Sequence, residues 1–414
     1  MSRAQRGSIY EVLGRSPVHP FPARMAPGIA VSFLSSSQKR LRVLDPMMGS
    51  GTVVALARAK GHHAIGVDID PLAVLMTKVW TTTVDCSRAR LKARQVLARA
   101  QSMNVTLRTA YPKNADDETR RFVRYWFDRH TRPQMVALAT SIHRVRDNKM
   151  RDVLWCAFSR LIIAKQAGVS LAMDLAHSRP HRAFQRAPIK PFPNFLAAVD
   201  RVLQNCISTS DADRGPAPHL RGGDARNLRV PDRSIDLVLT SPPYINAIDY
   251  MRCSKFSLIW MGFTVKELRE LRSRSVGSEV GQYRPANHSA KILKEFKLAN
   301  RLSSRNRAVL ARFIEDMSVA LGEAWRVLVP GGRAVYVLGD NNLRGTYISN
   351  SRLIRVLASR AGLKFVHQQT RALPPNRRYL PPPSRNKPKD SLDVRLHREV
   401  VLSFRKPLDR KQRK

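Results

Sequence analysis

Residues 42–70 constrain the fold of this chain more than any other stretch. A short apolar strand, Arg42–Leu44, runs directly into the turn Asp45-Pro-Met-Met-Gly-Ser-Gly-Thr52, and a helical pattern follows over Thr52–Lys60. A second apolar run, Ala64–Ile69, then closes on two acids, Asp68 and Asp70. Strand, turn, helix and strand in succession predict a parallel α/β sheet with helices on both faces. The alternation resumes with a helix over Pro71–Trp80, a buried-type strand Ile235–Thr240 that ends in Ser-Pro-Pro-Tyr, a helix over Phe313–Leu328 and a strand Arg333–Leu338. Two further β-rich runs, LKFVHQQT from Leu363 and HREVVLSF to Phe404, flank a basic, proline-rich segment, Pro374–Lys389. They predict an antiparallel pair at one edge of the sheet.

The middle of the chain lacks this alternation. From about residue 86 to 216 helical periods dominate, as in Arg120–Asp128, Gln134–Val145 and Val153–Ala167. This region reads as a helical insertion that divides one α/β domain into residues 1–85 and 217–414. Lys266–Arg307 is rich in Arg, Lys and Ser, with few apolar positions, and predicts a long mobile loop. The tail KPLDRKQRK predicts a solvated basic run.

Composition narrows the partners. The 414 residues include 73 Lys and Arg against 31 Asp and Glu, a formal net charge of +42. A charge of this size calls for a polyanion, with nucleic acid ahead of a membrane surface because the basic residues are not gathered on one amphipathic helix. No run of about 18 apolar residues occurs and the N-terminus lacks an apolar signal core, so a cytoplasmic protein outside the membrane is expected. Cys86, Cys156, Cys206 and Cys253 form no CxxC pair, which argues against disulfides and a structural zinc site. None follows a proline, which disfavours a thiolate nucleophile.

The first chemical signal is the glycine-rich turn. Gly49 and Gly51 allow a tight turn and close backbone approach to a ligand, and the free N–H groups of the following helix face the same place. A nucleotide-like cofactor is the expected occupant, with Asp68 the first choice and Asp70 the second for its ribose hydroxyls. The turn lacks both the GxGxxG pattern and a P-loop lysine, so neither NAD nor ATP is favoured. An ordinary strand–helix turn with a capping acid is the alternative.

The second signal is Thr240-Ser-Pro-Pro-Tyr244. Prolines cannot donate to a sheet ladder, so they stiffen the turn and leave carbonyls unpaired by the sheet. Those carbonyls and the Ser241 hydroxyl could accept hydrogen bonds from an amino group, while Tyr244 offers a flat ring for a base. Acceptors on both N–H bonds would favour a pyramidal nitrogen and aim its lone pair at an electrophile. A rigid loop whose tyrosine fills the core is the competing reading.

Together the two motifs resemble the S-adenosylmethionine-dependent amino-methyltransferases that act on DNA, in the Ser-containing form typical of N4-cytosine enzymes. His19-Pro-Phe-Pro-Ala-Arg-Met-Ala-Pro27 is similar to the segment that folds over the methionine end of that cofactor, and Ile245–Phe263 to the continuation seen in site-specific DNA methylases. The resemblance spans about residues 15–80 and 217–405. It implies a Rossmann-like, mostly parallel seven-stranded sheet with an antiparallel last strand. Asp45, Pro46, Gly49, Gly51 and Thr52 would surround the methionine part of S-adenosylmethionine. Asp68, with Asp70, would hold the ribose and Asp224 the adenine. Ser241, Pro242, Pro243 and Tyr244 would hold a target base flipped out of duplex DNA.

The chain departs from the family pattern in places. Many N4-cytosine enzymes carry the two motifs in the reverse order, the insertion precedes the Asp224 strand, and Met47 and Met48 stand where an aromatic residue is common. Either the insertion or the 264–310 region could read DNA, and a companion restriction enzyme is a further expected partner. Adenine N6 as the target, an RNA substrate, and a binding protein without activity are the other readings.

Several residues carry weaker expectations. His62 and His63 are read as surface residues. His177 and His181 suggest a basic DNA-facing loop or a solvated surface. Asp249, Tyr250 and Arg252 suggest either target-strand contacts or a helix start. Arg377, Arg378 and Tyr379 suggest a phosphate contact or a solvated loop.

Overall fold

The computed structural model describes residues 8–22, 24–175, 180–209, 215–245, 250–278, 287–298, 300–343, 346–372 and 398–409. His177, Arg179, Asp249, Arg377, Arg378 and Tyr379 lie outside them. Seven strands form the main sheet. They are β1 (Arg42–Asp45), β2 (His63–Asp68), β3 (His219–Gly222), β4 (Ile235–Thr240), β5 (Leu328–Gly339), β6 (Lys364–Ala372) and β7 (Arg398–Arg405). Their spatial order is β6-β7-β5-β4-β1-β2-β3. Only β7 runs antiparallel, to β5 on one side and β6 on the other. This is the Rossmann-like methyltransferase sheet, with an antiparallel last strand, that the family resemblance implies. The chain steps outward from β1 to β2 and β3 and then returns to β4, so β1 and β4 flank the topological switch point, where open α/β sheets bind ligands.

Alternation along the strands builds two cores. Val43, Leu237, Leu239, Val335 and Val337 point to one face, and Leu44, Val238, Ala334, Tyr336 and Leu338 to the other. The first face packs against α2 (Pro27–Leu34), α3 (Thr52–Ala59), α4 (Pro71–Thr81) and the helices of the middle region. Those are α5 (Cys86–Gln101), α6 (Asp117–Trp126), α7 (Thr131–His143), α8 (Asn148–Ile162) and α9 (Pro191–Leu203). The middle helices thus share one core with the sheet. Thr83–Val84 pairs in parallel with Ile207–Ser208 and brings the two ends of this region together, so the sheet continues undisturbed into β3. The second face is covered by α12 (Asn287–Glu295), α13 (Ser304–Val327) and α14 (Asn350–Arg360).

Two expectations are corrected. Lys266–Arg307 holds most of α11 (Val265–Arg274), all of α12 and the start of α13, where a long loop was expected. Its few apolar residues sit where they can be buried: Leu268, Ile292, Leu293, Leu298 and Leu302 all enter the cores. Thr264 and Glu267 make reciprocal capping bonds that start α11, a Thr-x-x-Glu signature legible in the sequence. His62, expected at the surface, is buried. Its Nδ1 accepts from the Leu41 N–H at 3.2 Å and its Nε2 donates to the Leu34 carbonyl at 2.9 Å, so it ties the end of α2 to the start of β1. His63, one residue on, is exposed as expected.

Candidate active site at the carboxyl edge of the sheet

Strands β1 and β4 are parallel neighbours, with Leu44 opposite Val238. Their last residues, Asp45 and Thr240, meet. The Thr240 hydroxyl donates to Asp45 Oδ1 at 2.7 Å, which joins positions 195 residues apart. Asp45 is 3% exposed, and the same oxygen also accepts from the Met47 N–H at 3.2 Å. The chain then leaves β4 as Ser241-Pro-Pro-Tyr, directly beside the glycine-rich turn that leaves β1. Pro46 and Pro242 are buried, whereas Ser241, Pro243 and Tyr244 are half-buried. Tyr244 packs against the second core.

The glycine-rich turn is held on both sides. The Met48 N–H donates to the Val67 carbonyl, and the Gly49 N–H donates to Asp68 Oδ2 at 2.7 Å. Gly49 and Gly51 have φ of +47° and +77°, the left-handed region that side chains avoid. A Cβ on Gly49 would lie 3.2 Å from the Phe21 ring, and one on Gly51 only 2.5 Å from Thr77 Oγ1. The missing side chains therefore admit these protein neighbours. Gly51 is the N-cap of α3 and offers no side chain to its first turn. The opening N–H groups of α3, at Thr52 and beyond, thus lack a side-chain cap at the place where a cofactor's carboxylate would sit.

The three acids differ in what they have left to offer. Asp68 Oδ1 and Oδ2 each accept one backbone N–H, from Asp70 and Gly49, and the residue remains partly accessible. Asp70 is buried. One of its oxygens caps α4 through the Leu72 N–H and the other accepts from the Ser254 hydroxyl at 2.6 Å, which binds α4 to α10 (Tyr250–Leu258). Asp224 follows β3 beside Asp68, since the Gly223 N–H donates to the Asp68 carbonyl at 2.9 Å. Arg226 grips both Asp224 oxygens, with Nε and Nη2 at 2.9 and 2.6 Å, and also reaches Asp316. Burial pushes the Asp224 carboxyl up, but Arg226 outweighs it and holds the group below the usual range.

The N-terminal segment closes the site from above. The Phe21 ring stacks on Tyr250 at 5.1 Å with planes 12° apart, next to Gly49. His19 is buried, and its Nε2 meets the Ser159 hydroxyl, which in turn meets Ser257 of α10. Burial drives the His19 imidazole down to about 3, so it positions this segment as a neutral ring. A cleft of about 270 Å³ opens between Phe21, Met25, Pro27, Thr52 and the Arg371–Glu399 ion pair at the ends of β6 and β7. The segment 19–27, quoted from sequence only for its resemblance, is thus a wall of the site. Phe21, Arg371 and Glu399 were not expected there individually, because nothing local marks them.

Buried carboxyls make the site sensitive to pH. Burial raises Asp45 to about 7, with the Asp68 charge adding to the effect. Asp68 also rises to about 7, through burial and then Asp70. Both lie above the unfolded value near 4, so between about pH 4 and 7 the folded chain binds more protons than the unfolded one. Stability of the ligand-free protein is therefore expected to fall as pH rises through that window. Thermal unfolding at pH 5 and 7.5 measures this, and Asp45→Asn combined with Asp68→Asn should flatten the dependence. An unchanged slope would remove these two groups as its source.

Among the described residues there is no cluster of three metal-ligating side chains and no helix long and apolar enough to cross a membrane. The four cysteines are free, and burial pushes the Cys156 thiol up to about 12.

No protein-family model matches the chain. It is 21% identical over 422 residues to the type II methyltransferase M.MvaI of Kocuria varians, covering 94% of this chain and 90% of that protein. It is 19% identical over 360 residues to the type II methyltransferase M.BsoBI of Geobacillus stearothermophilus, covering 80% and 68%. Among solved structures, a SAM-dependent methyltransferase from Methanosarcina mazei overlays with a TM-score of 0.34 and 8% identity, over 91% of this chain and 98% of that one. The fold assignment rests on strand order and direction, not on that overlay.

Proposed function

We propose that this chain is a DNA methyltransferase that uses S-adenosylmethionine to methylate an exocyclic amino group, with cytosine N4 the foremost target. The observation that carries the reading is the Thr240–Asp45 bond. It sets a cofactor-type turn and an amine-gripping turn side by side at the switch point, and neither turn alone implies group transfer. The names of the two sequence relatives point the same way.

The residues fit the cofactor. Asp45, Pro46, Gly49, Gly51 and Thr52 line its methionine end, where the uncapped start of α3 meets a carboxylate. Asp68 stays partly accessible and can accept from ribose hydroxyls, while Asp70 is buried, so the ribose role falls to Asp68. Asp224 would hold the adenine. The bound cofactor supplies an electrophilic methyl group. Ser241 Oγ and the Pro242 carbonyl accept from the target amine and turn its lone pair outward, and Tyr244 stacks on the flipped base. The methylated amine then sheds a proton to solvent. Residues 86–216 form the DNA-reading region in this view, and a companion endonuclease is the expected protein partner.

The test is methyl transfer from labelled S-adenosylmethionine to duplex DNA, with the nucleosides identified by mass spectrometry. N4-methylcytosine is expected. N6-methyladenine would keep the reaction and move the target atom, whereas label in RNA alone, or in neither polymer, would overturn the reading.

A further inference from the structure

The active site leaves the basic face of α6 without a role. This helix is divided lengthwise: Thr119 and Val123 are buried and Phe122 and Trp126 pack on the first core, whereas Arg120, Arg121, Arg124 and Tyr125 are exposed. At its edge three guanidinium groups converge on Tyr111. Arg124 and Arg132 each donate to the Tyr111 hydroxyl at 3.3 Å. Arg120 and Arg132 lie over the ring, both 5.5 Å from its centroid. Farther along, Arg182 lies 5.4 Å over the Tyr125 ring.

This cluster has no countercharge of its own. Among the described residues Arg120, Arg124, Arg132 and Arg182 form no ion pair. Three of the nearby acids are committed elsewhere, and Asp117, in the first turn of α6, forms no ion pair among the described residues. Asp116 caps α6, Glu118 pairs with Arg269, and Asp128 accepts from the His130, Thr131 and Ala187 N–H groups. Arg132 Nε is buried with no hydrogen-bond partner. Like charges around one ring repel, and a buried donor without an acceptor is rare in folded proteins. An anion with several acceptor oxygens would relieve the repulsion. Guanidinium forks match phosphate geometry, and contacts of this kind position a duplex without reading its bases.

We propose that Tyr111, Arg120, Arg124 and Arg132 form a seat for one phosphate of a duplex DNA backbone, with the outer face of α6 and the Arg182–Tyr125 pair continuing the track. The proposal rests on the reading of DNA as the substrate, and it places a backbone contact in residues 86–216.

The test compares two charge-matched variants, R120E/R124E on α6 and R94E/R99E on α5, all at exposed positions. Fluorescence anisotropy follows a labelled duplex of about 30 base pairs between about 50 and 200 mM salt. The α6 variant should bind at least about tenfold more weakly, with a log–log salt slope shallower by about 1–2, while the α5 variant loses less than about threefold. Calorimetry should show S-adenosylmethionine affinity and thermal midpoint unchanged in both. Equal losses in the two variants, or none on α6, would overturn the seat, as would loss of an RNA hairpin with the duplex unaffected. A wild-type chain that transfers no methyl group while the α6 variant still loses the duplex would sink the proposed reaction and leave the seat standing.

Discussion

Replacing Tyr244 with alanine is expected to slow methyl transfer to duplex DNA by about 100-fold and to leave S-adenosylmethionine affinity within about twofold. Loss of a base–aromatic stack costs roughly 1–3 kcal/mol, about 5- to 150-fold, and misplacement of the reacting amine adds to it. The cofactor turn is fastened by Asp45, Asp68 and Val67, none of which depends on Tyr244. Tyr244→Phe keeps the ring and should fall within about threefold of the parent. Single-turnover rates with labelled cofactor, beside calorimetry, separate the two quantities. A normal rate in the alanine variant would mean that the ring, which packs against the second core, only fills space there.

The second large effect concerns Gly51→Ala. At φ +77° an alanine carries left-handed strain of roughly 1–2 kcal/mol. Its Cβ would also meet Thr77 Oγ1 at 2.5 Å and Cγ2 at 2.6 Å, and overpacking of this kind costs about 1–3 kcal/mol more. The variant should lose about 2–5 kcal/mol in urea unfolding and bind the cofactor poorly, because relief of the clash displaces the start of α3 from α4. Gly61→Ala is the internal control. Its φ is +79°, yet a Cβ there meets nothing within 4 Å, so only the strain should appear. Adding Thr77→Ala to Gly51→Ala removes the two closest contacts and should recover about half the loss. Equal costs at positions 51 and 61 would show that the Thr77 contact contributes nothing.

Much of the fold was legible because its signals are local. Apolar strands ending in Gly-Ser-Gly and Pro-Pro, and helices with a buried stripe, placed β1, β2, β4, β5 and the β6–β7 pair within a few residues. The region 266–307 was misjudged because counting apolar residues ignores where they fall. Five leucines and isoleucines suffice when each meets a core. His62 is buried for a related reason, since its two backbone partners, Leu34 at the end of α2 and Leu41 before β1, lie 28 and 21 residues away and leave no pattern around position 62.

The candidate site shows the same division. Residue type and spacing pointed to Gly49, Gly51, Asp68 and the Ser241–Tyr244 turn, because backbone conformation and strand ends are short-range properties, whereas Asp45 and Asp224 came only with the family resemblance. What each acid can still bind was decided only by tertiary structure. Asp68 and Asp70 are two residues apart and chemically equal in sequence, but Asp70 is buried between Ser254 and the α4 N-terminus while Asp68 stays partly accessible. Thr240 meets Asp45 only because the chain crosses back to place β4 beside β1. The net charge of +42 was plain from composition, whereas the gathering of three arginines on Tyr111 without an acid was not. A sequence specifies which groups exist and which way the local backbone turns. Which of those groups remain unsatisfied, and so free to bind, depends on partners that only the folded chain brings within reach.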